Sequence, residues 1–498
     1  MPGPPVARIA VREVSAPGAW SEIVARWRGA PGFWLLDSAL ADGRAGRWSF
    51  AGADPYAIAR VFGDRIEVEP CQRENEESPR VEASAWRGDL FEALRAIVPR
   101  AEPSGVAARI PFVGGAVGWL GYELIAYLER VALRQSGDPV APDAAWLLVD
   151  HVLAFEHASG RLFATALGRG DDAERAVDRL AEQITRRAIR SSPDEANNLT
   201  PNDLTPGTGC EPLRWRDGGT GLEVGAFFDA DSYAKTVVAI QQEIVAGELY
   251  QANLTHRLAA RFGGDSWRLY EALRERSPAP FAAFLELPEL TIVGSSPERF
   301  LRLDADGAVE TRPIKGTRPR GATTTEDERL FDELRHSEKE RAENAMIVDL
   351  MRNDLGRVCA PGSVEVPELF AIERYATLFQ MVSTVRGKLR AGRDRVDLLR
   401  AAFPPGSMTG APKIAAINLI ARLEPVRRGV YSGALGYLDA RGSADLCVVI
   451  RTLLCRGRRA WLHVGGGIVL DSDPRAEWEE TLAKARAPLD ALAATQAE

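Results

Sequence analysis

The chain has 498 residues, 45% hydrophobic and 27% charged, with a formal net charge of −8 and a pI near 5.5. That is enough apolar material for one large core or two to three ordinary ones, and the acidic balance excludes a basic nucleic-acid or membrane-surface binder. The N-terminal stretch MPGPPVARIAVREVSAPGAW has no secretory pattern and no apolar run reaches spanning length. Five scattered cysteines (Cys71, Cys210, Cys359, Cys447, Cys455) without CxxC spacing suit reduced thiols in a cytoplasmic protein.

Residues 1–189 are expected to mix strands and helices, with hairpin punctuation around PGFWLLDSAL and AWLLVDHVLAFEHASGRLFATALG. Residues 190–222, rich in Ser, Thr, Asn, Pro and Gly, are expected to be a polar linker or surface excursion before a continuous body over 223–498. Three helices are predicted there. The first starts at Asp231 or Ser232 and ends at Gly247. The second covers about 325–355, acidic at its start. The third opens on Asp473-Pro474, an N-cap followed by proline at the first helical position. On that last helix Glu477, Glu480 and Lys484 share one face.

Lysine is scarce: six of 62 basic residues, none before Lys235. Arginine holds its charge permanently, whereas an amine can lose its proton and attack carbon, so Lys315 in TRPIKGTRPRG is either a nucleophile or an anchor for an anion. Glu298, at the end of a probable strand, is either a general acid of raised pKa or a turn cap. In the second helix Glu340, Glu343 and Asp349 are candidates, and Glu343 points the way the apolar stripe points. One glutamate from each of two helices, with no His or Cys near, suits a hard cation such as Mg²⁺; an ion pair with arginine is the alternative. The Glu477–Glu480–Lys484 face is otherwise a solvated charge stripe. It follows Gly465-Gly466-Gly467, a costly run inside a strand unless a ligand approaches the backbone. The segment from Phe403 to Lys413 reads as an anion cradle opening a helix, and Arg451, ending the apolar strand LCVVIRT, wants a carboxylate. Together these describe a site for a small polyanion losing an oxygen leaving group. No zinc pattern, P-loop or GxGxxG is present.

The ordered motifs SSPERF, RPIKGTRPRG, EKERAENAMIVDLMRNDLGRV, FPPGSMTGAPKI, RRGVYSGALGY, IRT and GGGIVLDSDPRAEWEETLAKA closely resemble the chorismate-utilising enzymes, as do LLDSALADGRAGRWSFAGADP and PFVGGAVGWLGYE near the N-terminus. The resemblance implies an α+β chorismate-binding fold, like that of anthranilate synthase component I, in which helices pack on large antiparallel sheets. It also implies that Lys315 attacks chorismate and Glu298 protonates the departing hydroxyl. Glu343 and Glu480 would bind Mg²⁺ with Glu477 nearby, and Arg451, Lys484, Gly466 and Gly467 would take carboxylates. Thr409 and Tyr431 would line the site. Gln380 stands where the family often has histidine, and Leu36-Asp37-Ser38 matches a segment at which relatives bind tryptophan. The lysine before Gly316 is the usual residue of aminodeoxychorismate synthases, whereas anthranilate synthases usually carry alanine there. The implied activity is therefore transfer of ammonia to chorismate on the way to p-aminobenzoate and folate, the ammonia coming from a separate glutaminase subunit. Anthranilate formation is the nearest alternative, and a non-catalytic tryptophan- or chorismate-binding regulatory subunit a distant one.

Overall fold

The computed structural model describes residues 6–15, 18–40, 46–73, 81–102, 105–133, 141–186, 213–375 and 378–496. Cys210 and the 190–212 part of the polar stretch lie outside the described residues. The fold is α+β. Among the described residues, two sheets of 14 and 12 strands pair antiparallel throughout, apart from the short parallel contact of Val6–Val14 with Arg100–Ala101.

Period-2 alternation explains how the sheets stack. In strand Ala144–Val149, Ala144, Trp146 and Leu148 face an outer core, while Ala145, Leu147 and Val149 face a layer shared with the other sheet. That shared layer also holds Trp34, Phe50 and Ile292 from the 14-stranded sheet and Trp119, Leu435 and Tyr437 from the 12-stranded one. Helices cover both outer faces. Asp172–Arg186, Ser266–Arg276 and Pro474–Ala494 pack on the first sheet, and Leu90–Ile97, Glu338–Gly356 and Arg395–Ala402 on the second. No helix among the described residues is long and apolar enough to cross a membrane.

In each sheet the strands from before residue 187 form one contiguous block and those from after 212 another, joined edge to edge at a single strand pair. Leu35 pairs with Phe284 in one, and Leu120 with Ala434 in the other. From Leu213 the polar stretch is already sheet, because Leu213–Arg216 forms an edge hairpin with Glu223–Ala226.

Two predicted helix boundaries differ. The first helix spans Ala230–Val245 and is capped by Asp229, whose carboxylate accepts the Ser232 amide at 2.8 Å while Ser232 reciprocates. The expected single helix over 325–355 is two, Thr324–His336 and Glu338–Gly356. Ser337 between them is extended, and its hydroxyl caps the second helix at the Glu340 amide. A serine that can satisfy a free N–H ends one helix and starts another where periodicity alone runs on.

Candidate active site

Two adjacent antiparallel strands cross together from one sheet to the other, and the crossings place Glu298 and Arg451. Leu290–Ser296 pairs with Thr452–Arg456 in the 14-stranded sheet; Arg299–Leu303 pairs with Ala444–Val448 in the 12-stranded sheet. Glu298 lies at one crossing and Arg451 at the other, each tied by main-chain bonds to the opposite strand, Val448 N to Glu298 O at 3.0 Å and Ser295 N to Arg451 O at 3.1 Å. LCVVIRT is thus not the single strand the sequence pattern predicts. Alternation of apolar residues continues through the corner, but Arg451 takes φ +50° where the chain changes sheets.

Both side chains line a cavity of about 630 Å³. Glu298 is 6% exposed, and burial pushes its carboxyl up to about 7 despite the Ser407 hydroxyl bonded to it and the nearby charge of Lys315. Arg451 makes no side-chain hydrogen bond or ion pair among the described residues. Burial alone pulls its guanidinium below the ordinary value. A half-buried cation without a protein carboxylate suits an anionic ligand.

Lys315 reaches the same cavity from strand Ile314–Pro319. The register against Leu378–Lys388 slips between Ile314 and Thr317, and the bulge turns on Gly316 at φ +84°, where a Cβ would also meet Leu334 at 2.8 Å. The Lys315 ammonium lies 3.5 Å from Glu343 Oε2.

Glu343 projects from Glu338–Gly356, and Glu477 and Glu480 from Pro474–Ala494, all lining the cavity. Lysines hold them. Lys484 Nζ is 2.6 Å from Glu480 Oε1 and donates to the Gly465 carbonyl at 2.9 Å; Lys339 Nζ stands 3.7 Å from Glu477 Oε1 and 4.0 Å from Glu343 Oε1. Burial raises the pKa of Glu477, which the Ser472 hydroxyl and nearby lysines only partly offset. At Glu480 burial is outweighed by Lys484, Lys339 and Lys315, and its pKa falls. Burial also raises Glu340, helped by the charge of Glu343. Asp349 is exposed and paired with Arg352 at 2.8 Å, away from the site. Among the described residues no trio of His, Cys, Asp or Glu is gathered closely enough to hold an ion unaided. Carboxylate oxygens on two helices, facing a space for substrate, nevertheless fit Mg²⁺, which keeps waters and takes one or two protein carboxylates plus ligand oxygens.

The glycine run divides its work. A Cβ on Gly465 would strike the Leu254 carbonyl of the neighbouring strand at 2.5 Å. On Gly466 it would meet Glu477 Oε2 at 3.0 Å. On Gly467 it would meet Gln251 Nε2 at 2.4 Å and Lys315 Nζ at 3.2 Å. So Gly465 answers to strand packing, and Gly466 and Gly467 keep side chains of the site clear. Gln380 and Tyr431 line the cavity, the latter stacked on His463 with ring centroids 5.1 Å apart. Thr409 is fully buried, with Oγ1 directed at the Gly406 carbonyl (3.1 Å), and its neighbours Ser407 and Met408 form the wall.

Sequence reasoning passed over Lys339, Ser407, Gln251, Asn253 and His463. Gln251 Nε2 and Oε1, Asn253 Nδ2 and His463 Nε2 are buried with no hydrogen-bond partner in the structure. The scarcity of lysine marks Lys339. Ser407 lies inside the Phe403–Lys413 segment already singled out, and nothing in the sequence separates the other three from ordinary core polar residues. Lys413, in the expected anion cradle, is a structural pair instead: its ammonium is buried against Asp354 Oδ2 at 2.6 Å and the carbonyls of Ala402 and Pro404.

The sequence profile of the family described as "chorismate binding enzyme" matches residues 38–490. The chain belongs to this family. It is 40% identical over 97% of its length to an aminodeoxychorismate synthase of Streptomyces pristinaespiralis, of which it spans 65%. It is also 36% identical to anthranilate synthase component 1 of Synechocystis sp., with 98% of this chain and 96% of the relative covered. The crystal structure of anthranilate synthase component I from Streptococcus pneumoniae TIGR4 superposes with a TM-score of 0.71 at 26% identity, covering 89% and 92% of the two chains. The chorismate-binding assignment makes the molecule an enzyme.

A second cavity, of about 650 Å³, is lined by Leu36, Asp37 and Ser38 with Phe281 and Tyr437. Asp37 is committed internally: it accepts from Trp20 Nε1 (3.2 Å), Ser49 Oγ (2.8 Å), Tyr270 OH (2.9 Å) and Arg274 Nε (2.7 Å). The Ser38 hydroxyl donates to the Trp48 carbonyl at 2.8 Å.

Proposed function

We propose that the chain is component I of an aminodeoxychorismate synthase, converting chorismate and ammonia to 4-amino-4-deoxychorismate and water. The observation that carries this reading is an amine, Lys315, lining the same cavity as a carboxyl, Glu298, held near neutrality by burial. The deprotonated Lys315 amine forms a C–N bond at ring carbon C2 as the double bond shifts and the C4–O bond breaks. Glu298 gives its proton to the departing oxygen, which leaves as water. Ammonia then bonds at C4, the double bond returns, the C2–N bond breaks to release the Lys315 amine, and the ammonium formed at C4 gives a proton back to Glu298.

Arg451, Lys484 and the Gly466–Gly467 backbone take the carboxylates, and Tyr431 and Gln380 wall the ring. Gln251 places an unpartnered amide beside Gly467 and Lys315. An amide can hold ammonia by hydrogen bonds but cannot take a proton from water, which favours amination over hydration. Glu343 and Glu480, with Glu477, would hold Mg²⁺; when bound, the ion supplies positive charge to the ring carboxylate. Ammonia is supplied by a separate glutaminase in the cytoplasm. Relatives named aminodeoxychorismate synthase and anthranilate synthase stand at similar identity, and Lys315 is the feature that favours amination at C4.

The test is purified protein with chorismate, Mg²⁺ and excess ammonium, from neutral to mildly alkaline pH, products resolved by chromatography and mass. Aminodeoxychorismate, convertible to p-aminobenzoate by added lyase, is expected, with a chorismate-minus-water adduct on the protein when ammonium is withheld and none on Lys315→Ala. Anthranilate as product overturns the assignment.

A further inference from the structure

Three of the chain's six lysines, Lys315, Lys339 and Lys484, line this one cavity, in a protein that writes most of its positive charge as arginine. Lys315 has a chemical task, and Lys484 is seated on Glu480 and the Gly465 carbonyl. Lys339 has neither. It makes no side-chain hydrogen bond among the described residues, its side chain is 53% exposed, and its ammonium stands between Glu343 of its own helix and Glu477 of the Pro474–Ala494 helix, at 4.0 and 3.7 Å. Those distances are those of a loosely held counter-ion and not of a locked pair.

We propose that Lys339 is a built-in counter-ion for the divalent-cation site: its ammonium holds the charge between the two helices when no cation is bound, and swings outward when one binds. The proposal rests on the reading of Glu343, Glu477 and Glu480 as the cation site. An ammonium suits the task because it is a compact point charge on a flexible stem, whereas a guanidinium would lock a carboxylate through two parallel bonds. Without a cation, removing Lys339 leaves Glu343, Glu477 and Glu480 facing one another with less neutralising charge. Cation binding is then an exchange of one charge for another, and the affinity is reduced by whatever holds the ammonium in place.

The experiment is isothermal titration of the full chain with Mg²⁺ at fixed ionic strength, paired with thermal unfolding in EDTA and in saturating Mg²⁺, for wild type, Lys339→Met and Lys388→Met. Lys388 pairs with Asp306 on the surface and serves as the control for loss of one positive charge. Lys339→Met is expected to bind Mg²⁺ roughly tenfold more tightly, to melt lower than wild type in EDTA, and to gain more from Mg²⁺. Lys388→Met is expected to match wild type. Unchanged or weaker binding by Lys339→Met overturns the proposal, as does an equal shift in both variants. Wild type that binds no Mg²⁺ overturns the cation site itself, and the counter-ion with it.

Discussion

Burial holds Glu298 about 7 in the folded chain, against 4.5 when exposed, so the group serves as an acid only while protonated. Its contribution to activity is expected to decline as pH rises through about 7, and Glu298→Gln is expected to lower kcat by about 10²–10³ and remove that limb of the profile. Stability moves with the same proton. The folded state keeps it to higher pH than the unfolded chain, so the stabilisation is complete below about 4.5 and is lost as pH rises through about 7. By that linkage the ionised group costs on the order of 3 kcal/mol at pH 8. Glu298→Gln should therefore unfold at higher denaturant than wild type at pH 8, with the gap closing below pH 5. A variant no more stable at pH 8 would show that the carboxyl is not held near neutrality.

At the scale of elements, the wall that presents Ser407 depends on a buried ion pair behind it. Lys413, at the first turn of Lys413–Leu423, bonds Asp354 of Glu338–Gly356 and two carbonyls of the 402–404 segment. It pins the Phe403–Pro412 loop to the helix that carries Glu343. Lys413→Met should destabilise the fold by about 3 kcal/mol, because Asp354 is left buried with only the longer Arg357 contact at 3.3 Å. Adding Asp354→Asn should recover part of that loss. Chemical denaturation of the two variants measures both effects, and a double variant no more stable than the single would refute the pairing.

Across the whole molecule, the two ends of the sequence supply adjacent blocks of strands that join at one strand pair in each sheet and share one inner layer. Without the other, residues 1–186 and 213–498 would each expose a new edge in both sheets and the inner apolar layer, so neither piece, produced alone, is expected to give a sharp thermal transition, while co-production should restore one. Calorimetry decides, and a cooperative transition from 213–498 alone would show that half to be self-sufficient.

The sequence by itself determined what local chemistry encodes. The Asp473-Pro474 start, the apolar alternation of the strands, the family motifs and the shortlist Lys315, Glu298, Glu343, Glu477, Glu480, Lys484 and Arg451 were all legible, because capping, periodicity and residue type act over a few positions. Periodicity ran past Ser337 and the apolar run past Val448, where a side-chain cap in one case and a change of sheet in the other end elements that the pattern continues. Only the tertiary structure decided that Glu298 and Arg451 meet at paired corners, that Lys413 is structural, that Gly465 answers to a neighbouring strand while Gly467 clears Gln251 and Lys315, and that Lys339 faces Glu477, 138 residues further along the chain. Those outcomes depend on which distant segments are packed together, and burial, the quantity that sets the Glu298 proton, exists only once they are.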